Sequence, residues 1–346
     1  MSATGGTRVT RSSPCSRSAK GQVGAEGRVR LLAMGGTIAV KASADGALHA
    51  LGADDLAALV PDAPVEIETL DFAEGSSIAF TAEQLLRLAR ALDDESLAGI
   101  DGVVVTHGTD TLEETLYFLA LTVPRSSRAV VATGAMRPAD ALGADGPANL
   151  AAALTVAAHA PAAALGPVLV LDGLIHAARF AAKVSALSVG GWGSPAAGPV
   201  GRVVEGRPSV WLTPAYDDFL GLPDGSELPR VELLRMALGT GPEALAATLE
   251  TNPAGLVIDG FGGGHVPPAL LGVIDEAIAD GVAVVLTSRV GDGPTNRSTY
   301  GAPGCELDLQ ERGALMAGAL SGVKARLRLS VALALGMNAG DVFPID

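Results

Sequence analysis

The sequence predicts an α/β protein made of two α/β domains on mostly parallel sheets. Three observations carry that prediction. Apolar, β-branched runs alternate with longer Ala- and Leu-rich stretches, the signature of strands joined by crossover helices. The 346 residues suggest about two cores rather than one. The pattern lapses once, across the Gly- and Pro-rich residues 190–228, and then restarts.

The elements follow in order. Arg28–Met34 reads as a first strand, stopped by Gly35-Gly36. Leu56–Val60 and Glu83–Leu92 read as helices, and Gly102–Thr106 (GVVVT) as a buried strand. A helix from Leu112 to Leu121 leads to a strand at Ala129–Thr133, a helix at Pro147–His159 and a strand at Val168–Leu171. After the lapse come strand Arg230–Met236, helix Pro242–Glu250, strand Gly255–Ile258, helix Pro268–Asp280 and strand Val282–Thr287. A helix near Leu327–Leu335 closes the chain. The domains are drawn as a disordered tail over 1–28, an N-terminal domain over 29–206, a linker over 207–228 and a C-terminal domain over 229–346.

Composition narrows the function. The chain has 44 Gly, 48% hydrophobic and only 3% aromatic residues, so its cores are mostly Ala, Val, Leu and Ile. Charged residues make up 18%, and no apolar run reaches the ~18–20 residues of a membrane span, so the chain reads as soluble. A net charge of −14 argues against a nucleic-acid partner, which needs a basic surface. Arg8, Arg11, Arg17, Lys20, Arg28 and Arg30 crowd the start against one anion, Glu26; without an apolar stretch this is no secretory signal. Cys15 and Cys305 form no CxxC, which leaves neither a disulfide framework nor a zinc site and makes the cytoplasm the default. Nucleophile-elbow, HExxH and phosphate-loop motifs are absent.

Polar residues gather where strands end, the place where open parallel sheets build their sites. The first cluster is Met34-Gly35-Gly36-Thr37-Ile38-Ala39, either a ligand-approaching turn or a plain Gly-Gly loop with a capping Thr37. The second is Val105-Thr106-His107-Gly108-Thr109-Asp110-Thr111. Thr111 and Glu114 fit a capping box, which leaves Thr109 and Asp110 as ligand contacts and His107 as a structural histidine. The third is Thr133-Gly134-Ala135-Met136-Arg137-Pro138, with Asp145-Gly146-Pro147 and Asn149 downstream as a turn into a helix. The chain has 24 Lys and Arg together, yet the lysines are only Lys20, Lys41, Lys183 and Lys324. A lysine kept against that bias serves where a removable proton is needed, or else snorkels at the surface; Lys183 is the candidate.

GGTIA, HGTDT and GAMRP in this order, with SRV and GFGGGH downstream, resemble the bacterial-type L-asparaginase (asparaginase/glutaminase) family from about residue 29 onward. The resemblance implies a larger N-terminal domain with a mostly parallel sheet flanked by helices, and a smaller C-terminal flavodoxin-like parallel sheet. It implies hydrolysis of L-asparagine to aspartate and ammonia through a threonine acyl-enzyme, with no metal or cofactor. L-glutamine stays open as a second substrate, since one methylene is worth only ~1–3 kcal/mol of discrimination. Thr37 is the implied nucleophile. Thr109 positions or activates the water or amide, Asp110 holds the substrate ammonium, and Lys183 pairs with both. Ser76, with Ser77 beside it where many members have Gln, matches the segment after Glu74 that binds the substrate carboxylate. Ala135 faces the leaving amide.

Two departures accompany the match. Residues 38–70 contain no Tyr where the family carries one on a lid, and Asp292–Gly301 (DGPTNRSTYG) lacks the Glu that a neighbouring subunit often supplies. Tyr300 is the candidate substitute hydroxyl near Thr37, or a packing tyrosine. The family assembly implies a homotetramer or homodimer. A noncatalytic amino-acid-binding protein of the same fold and an ammonia-producing amidase subunit remain the alternatives.

Overall fold

The structure, a computed structural model, describes residues 27–42, 48–73, 75–125, 128–215 and 217–343. The expected tail therefore lies outside the described residues up to residue 26, as does Glu74.

The N-terminal unit opens with strand β1 (Arg28–Ala33), a short hairpin of β2 (Val40–Ala42) and β3 (Leu48–Ala50), helix α1 (Ala53–Ala58) and strand β4 (Glu66–Asp71). Helix α2 (Ala82–Leu92), strand β5 (Gly102–Thr106), helix α3 (Leu112–Thr122), strand β6 (Ala129–Thr133) and helix α4 (Gly146–Ala157) follow. Strands β7 (Val168–Leu171), β8 (Leu174–Ala177), β9 (Ala182–Lys183), β10 (Trp192–Gly193), β11 (Gly201–Val204) and β12 (Arg207–Val210) complete it. The C-terminal unit runs β13 (Val231–Arg235), α5 (Glu243–Leu249), β14 (Gly255–Gly260), α6 (Leu271–Ala279) and β15 (Ala283–Ser288). It ends with α7 (Glu306–Glu311), β16 (Leu315–Met316), α8 (Gly322–Ala334) and α9 (Ala339–Val342).

Eight strands form the larger sheet in the order β12-β11-β8-β7-β6-β5-β1-β4. From β4 to β7 the neighbours run parallel, and from β7 to β12 antiparallel. The smaller sheet is wholly parallel, β13-β14-β15-β16. The apolar GVVVT run becomes a central strand with all five residues buried. Val103 and Val105 face the core shared with α2 and α3, while Val104 faces the core under α1 and α4. Burial on both faces is what a continuous apolar run requires.

The core around α3 does not stop at the first unit. Tyr117 and Phe118 of α3 share one cluster with Val257 and Val285 of the smaller sheet and Ala325 and Leu329 of α8. Helix α3 is apolar nearly all round because it lies between its own sheet and α8. A second, separate core fills the far side of the smaller sheet under α5 and α6.

The structure departs from expectation across 190–228. Residues there form β10, β11 and β12, and Arg207–Val210, expected at the start of the linker, pairs with Gly201–Val204 in the larger sheet. The reason is local. Asp172-Gly173 joins β7 to β8, and Glu205-Gly206 joins β11 to β12, with positive φ at all four residues. Such two-residue turns match the twist of a hairpin and extend the sheet antiparallel. Strand β4 also went unmarked in the sequence, because EIETLD forms a half-exposed edge without an apolar run.

The larger sheet positions the candidate residues by register. Ala33 pairs with Thr106, and Thr106 with Thr133. The loops carrying Thr37, Thr109 and Ala135 therefore leave the same edge side by side.

Candidate active site

Thr37 opens a 3-10 turn, Thr37–Ala39, directly after Gly36 with φ 85°. That left-handed conformation suits glycine, and a Cβ on Gly36 would collide with the main chain of Gly108. The two loops thus touch backbone to backbone. Gly36 N–H donates to the Gly75 carbonyl at 3.3 Å, which brings in a third segment. From that segment Ser77, only 2% exposed, presses on Gly108: a Cβ there would lie 2.5 Å from Ser77 Oγ. Ser76 is exposed at the start of the turn Ser77–Ala79.

Thr111 does not close the capping box expected from Thr111 and Glu114. Its hydroxyl donates to the Ser77 carbonyl at 3.0 Å and makes no cap bond. The carbonyl of the neighbouring loop competes successfully for that proton, and the bond ties α3 to the Ser77 segment. His107 is structural, as its surroundings require. It is fully buried, its Nδ1–H donates to the Gly108 carbonyl at 2.7 Å, and Nε2 accepts from Thr115 Oγ1 at 2.9 Å. Phe80 meets it edge-on at 5.0 Å, and burial pushes the imidazole down to about 4.

Lys183 sits on the two-residue strand β9, opposite Trp192. Its ammonium lies 3.0 Å from Thr109 Oγ1 and 2.8 Å from Asp110 Oδ1. The snorkelling alternative fails, because the side chain is 18% exposed and ends on these two partners. Thr109 is buried, whereas Asp110 keeps 61% of its side chain exposed and open to a ligand. Glu113, in the first turn of α3, feels Lys183. Burial raises its carboxyl, and Lys324, the Lys183 N–H and the Lys183 charge pull the other way.

Ala135 is fully buried, in a loop held by two residues, Asp145 and Asn149, whose sequence context marks only a turn into a helix. Asp145 does not cap α4; its carboxylate accepts the N–H groups of Met136 and Arg137, both at 2.9 Å. Asn149 Nδ2 donates to the Gly134 carbonyl and to Asp145 Oδ2, each at 3.1 Å, and its Oδ1 accepts from Asp172 N–H at 3.0 Å. The i, i+4 spacing of Asp145 and Asn149 was the available signal.

Tyr300 belongs to the C-terminal unit. Its ring meets His265 edge-on at 5.6 Å, and its N–H donates to Glu306 Oε1 at 2.6 Å. Among the described residues no group of three or more His, Cys, Asp or Glu could hold a metal ion, and no helix is long and apolar enough to cross a membrane.

The site thus joins a hydroxyl on a tight turn, a second hydroxyl bonded to a lysine, and a carboxylate open to solvent. Comparison with known proteins agrees in both units. Residues 28–216 match the family described as Asparaginase, N-terminal, and residues 230–342 match the Glutaminase/Asparaginase C-terminal domain. A protein named L-asparaginase from Bacillus licheniformis is 32% identical over 312 residues, covering 89% of this chain and 95% of that one. A probable periplasmic L-asparaginase from Haemophilus influenzae is 34% identical, with 88% of each chain covered. The crystal structure of a probable cytoplasmic L-asparaginase from Campylobacter jejuni superposes with a TM-score of 0.82 at 32% identity, covering 91% of this chain and 98% of that one.

Proposed function

The chain belongs to the asparaginase family, and from that premise we propose that it hydrolyses L-asparagine to L-aspartate and ammonia through a threonine acyl-enzyme. The observation that carries this reading is the Lys183–Thr109–Asp110 group, 3.0 and 2.8 Å across, on the loop in backbone contact with Gly36.

Asp110 receives the substrate α-ammonium in a charge-assisted bond, and Ser76 with Ser77 meets the α-carboxylate. Thr37 Oγ1 attacks the side-chain amide carbon. The C–N bond breaks and ammonia leaves, taking up the hydroxyl proton, with an ester left on Thr37. Backbone N–H groups near Thr37 and Thr109 offset the charge that develops on the carbonyl oxygen. In deacylation Thr109, hydrogen-bonded to Lys183, takes the proton of the water that cleaves the ester and passes its own toward Nζ, and Thr37 recovers a proton as aspartate leaves. Ala135, held by its Asp145-braced loop, faces the leaving amide. L-glutamine is the second substrate to test, and Tyr300 the auxiliary hydroxyl.

The same reading takes the enzyme as cytoplasmic, like the relative from Campylobacter and unlike the one from Haemophilus. It takes the assembly as a homotetramer or homodimer, which sedimentation would measure. The deciding experiment is ammonia release from L-asparagine, L-glutamine and D-asparagine by wild type and Thr37→Ala. Release from L-asparagine that disappears in the variant is the expected result. Activity surviving in Thr37→Ala would transfer the nucleophile to Thr109, and a wild type inert on all three would remove the proposal.

A further inference from the structure

Lys324 is only 2% exposed on α8 of the C-terminal unit, far along the chain from Thr37, Thr109, Asp110 and Lys183. A buried ammonium costs several kcal/mol unless its protons are well placed. Here Nζ donates to the carbonyl of Ala181 at 2.6 Å and to that of Arg179 at 2.9 Å. Those carbonyls belong to the segment between β8 and β9 that ends on Lys183. Glu113 of α3 faces both lysines; burial raises its carboxyl, and the charges of Lys324 and Lys183 pull it down.

We infer that Lys324 is a positioning residue for the reaction: by clamping the Arg179 and Ala181 carbonyls it sets where Lys183 presents its amine to Thr109. This inference rests on the role proposed for Lys183.

The surroundings of Lys324 fit a fixed clamp. From α3, Glu113 supplies opposite charge and the Tyr117 ring lies 5.9 Å from Nζ. From the loops, Asp218 attracts it and Arg179 repels it. Arg328, one turn further along α8, joins Asp218 at 3.1 Å, and Arg179 joins the same carboxylate at 3.0 Å. Tyr117 donates to it as well, at 3.2 Å. Burial, outweighing Glu113 and Asp218, brings the lysine down to about 8. Methylene chains alone would pack α8 on α3 without a buried charge; the hydrogen bonds of the ammonium go to the two carbonyls. One helix of the second unit thereby reaches the base of the first.

The test is a double-mutant cycle in kcat between Lys324→Met and Lys183→Met, with KM and the unfolding midpoint recorded for each protein. In the wild-type background, Lys324→Met is expected to lower kcat ~10–100-fold, since displacements of about 1 Å at a reacting group cost that much. KM is expected to hold within about threefold, because Asp110 sits in the loop between β5 and α3 rather than on the clamped segment. In the Lys183→Met background the same change is expected to lower the residual kcat less than about twofold, the mark of coupled sites. Equal losses in both backgrounds, or a KM rise matching the fall in kcat, would overturn the inference. A protein that fails to fold with Met is replaced by Lys324→Gln, which keeps one neutral donor, and the same cycle is read. Wild type inactive on asparagine would instead remove the reading of Lys183 on which the inference stands.

Discussion

Acid is expected to weaken this protein through His107, and the size of the effect follows from where the ring lies. Burial is the larger cause of its shift and lowers it from 6.5 to about 4; the bond to the Gly108 carbonyl opposes it. An unfolded chain takes up this proton near pH 6.5, while the native protein holds it off until about pH 4. The unfolded state therefore binds more protons between those values, and stability present above pH 6.5 is lost as the pH falls through about 4. At ~1.4 kcal/mol per pH unit the ring accounts for about 3 kcal/mol. His176, buried on β8 with Nδ1 2.9 Å from Ser194 Oγ, shifts in the same direction for the same reason. The assay is urea unfolding at steps from pH 7.5 to 4, for wild type and His107→Asn. Asn retains a donor toward the Gly108 carbonyl but gives up the Thr115 bond and the Phe80 contact, so it starts less stable by ~1–2 kcal/mol. Having no proton to take up, it loses less on acidification, and the gap closes or reverses by pH 4. A gap that stays constant within about 0.5 kcal/mol over the whole range would refute the argument.

Gly36→Ala is expected to cost more than ~2 kcal/mol in denaturant unfolding and to depress kcat with it, because the new methyl meets both a positive φ and the Gly108 main chain. Asp145→Ala leaves the N–H groups of Met136 and Arg137 without their acceptor, a loss of ~1–3 kcal/mol in the unfolding midpoint, with a fall in kcat/KM as the Ala135 loop loosens.

Much of the fold was legible because its central strands are buried on both faces. GVVVT and AVVAT each form a strand with the expected ends, since five apolar or small residues between turn residues have no other stable use. The antiparallel half of the larger sheet was not legible from apolar runs, because β8, β11 and β12 are short and partly exposed. Their signal was the Gly after Asp172 and after Glu205, which marks a two-residue turn whatever the composition of the strands. In the site, Thr109 and Asp110 stand out as polar residues beyond the needs of a cap, whereas the residues around Lys183 fit a surface lysine as well as a functional one, and only the family resemblance favours the second. Nothing local could join them: the Lys183–Thr109 bond spans 74 positions, between the loop after β5 and the separate β9–β10 pair. Thr111 shows the opposite error. Its spacing to Glu114 satisfies a local rule, and a carbonyl brought in by the tertiary fold took the hydroxyl instead. Lys324 carries no local mark at all, since its burial depends on a helix from the other unit lying against it.

The contact between Gly36 and Gly108 also bears on how such an enzyme can diverge. Where two main chains touch, the interval between them is one backbone thickness, and no exchange of side chains can trim or stretch it by fractions of an ångström. The two threonine-bearing loops are therefore spaced by a gauge common to every variant that keeps both glycines. Under the proposed reaction, selection for a longer or shorter substrate would work on the open rim, at exposed Ser76 and the exposed carboxylate of Asp110, while the spacing of the two loops stays set.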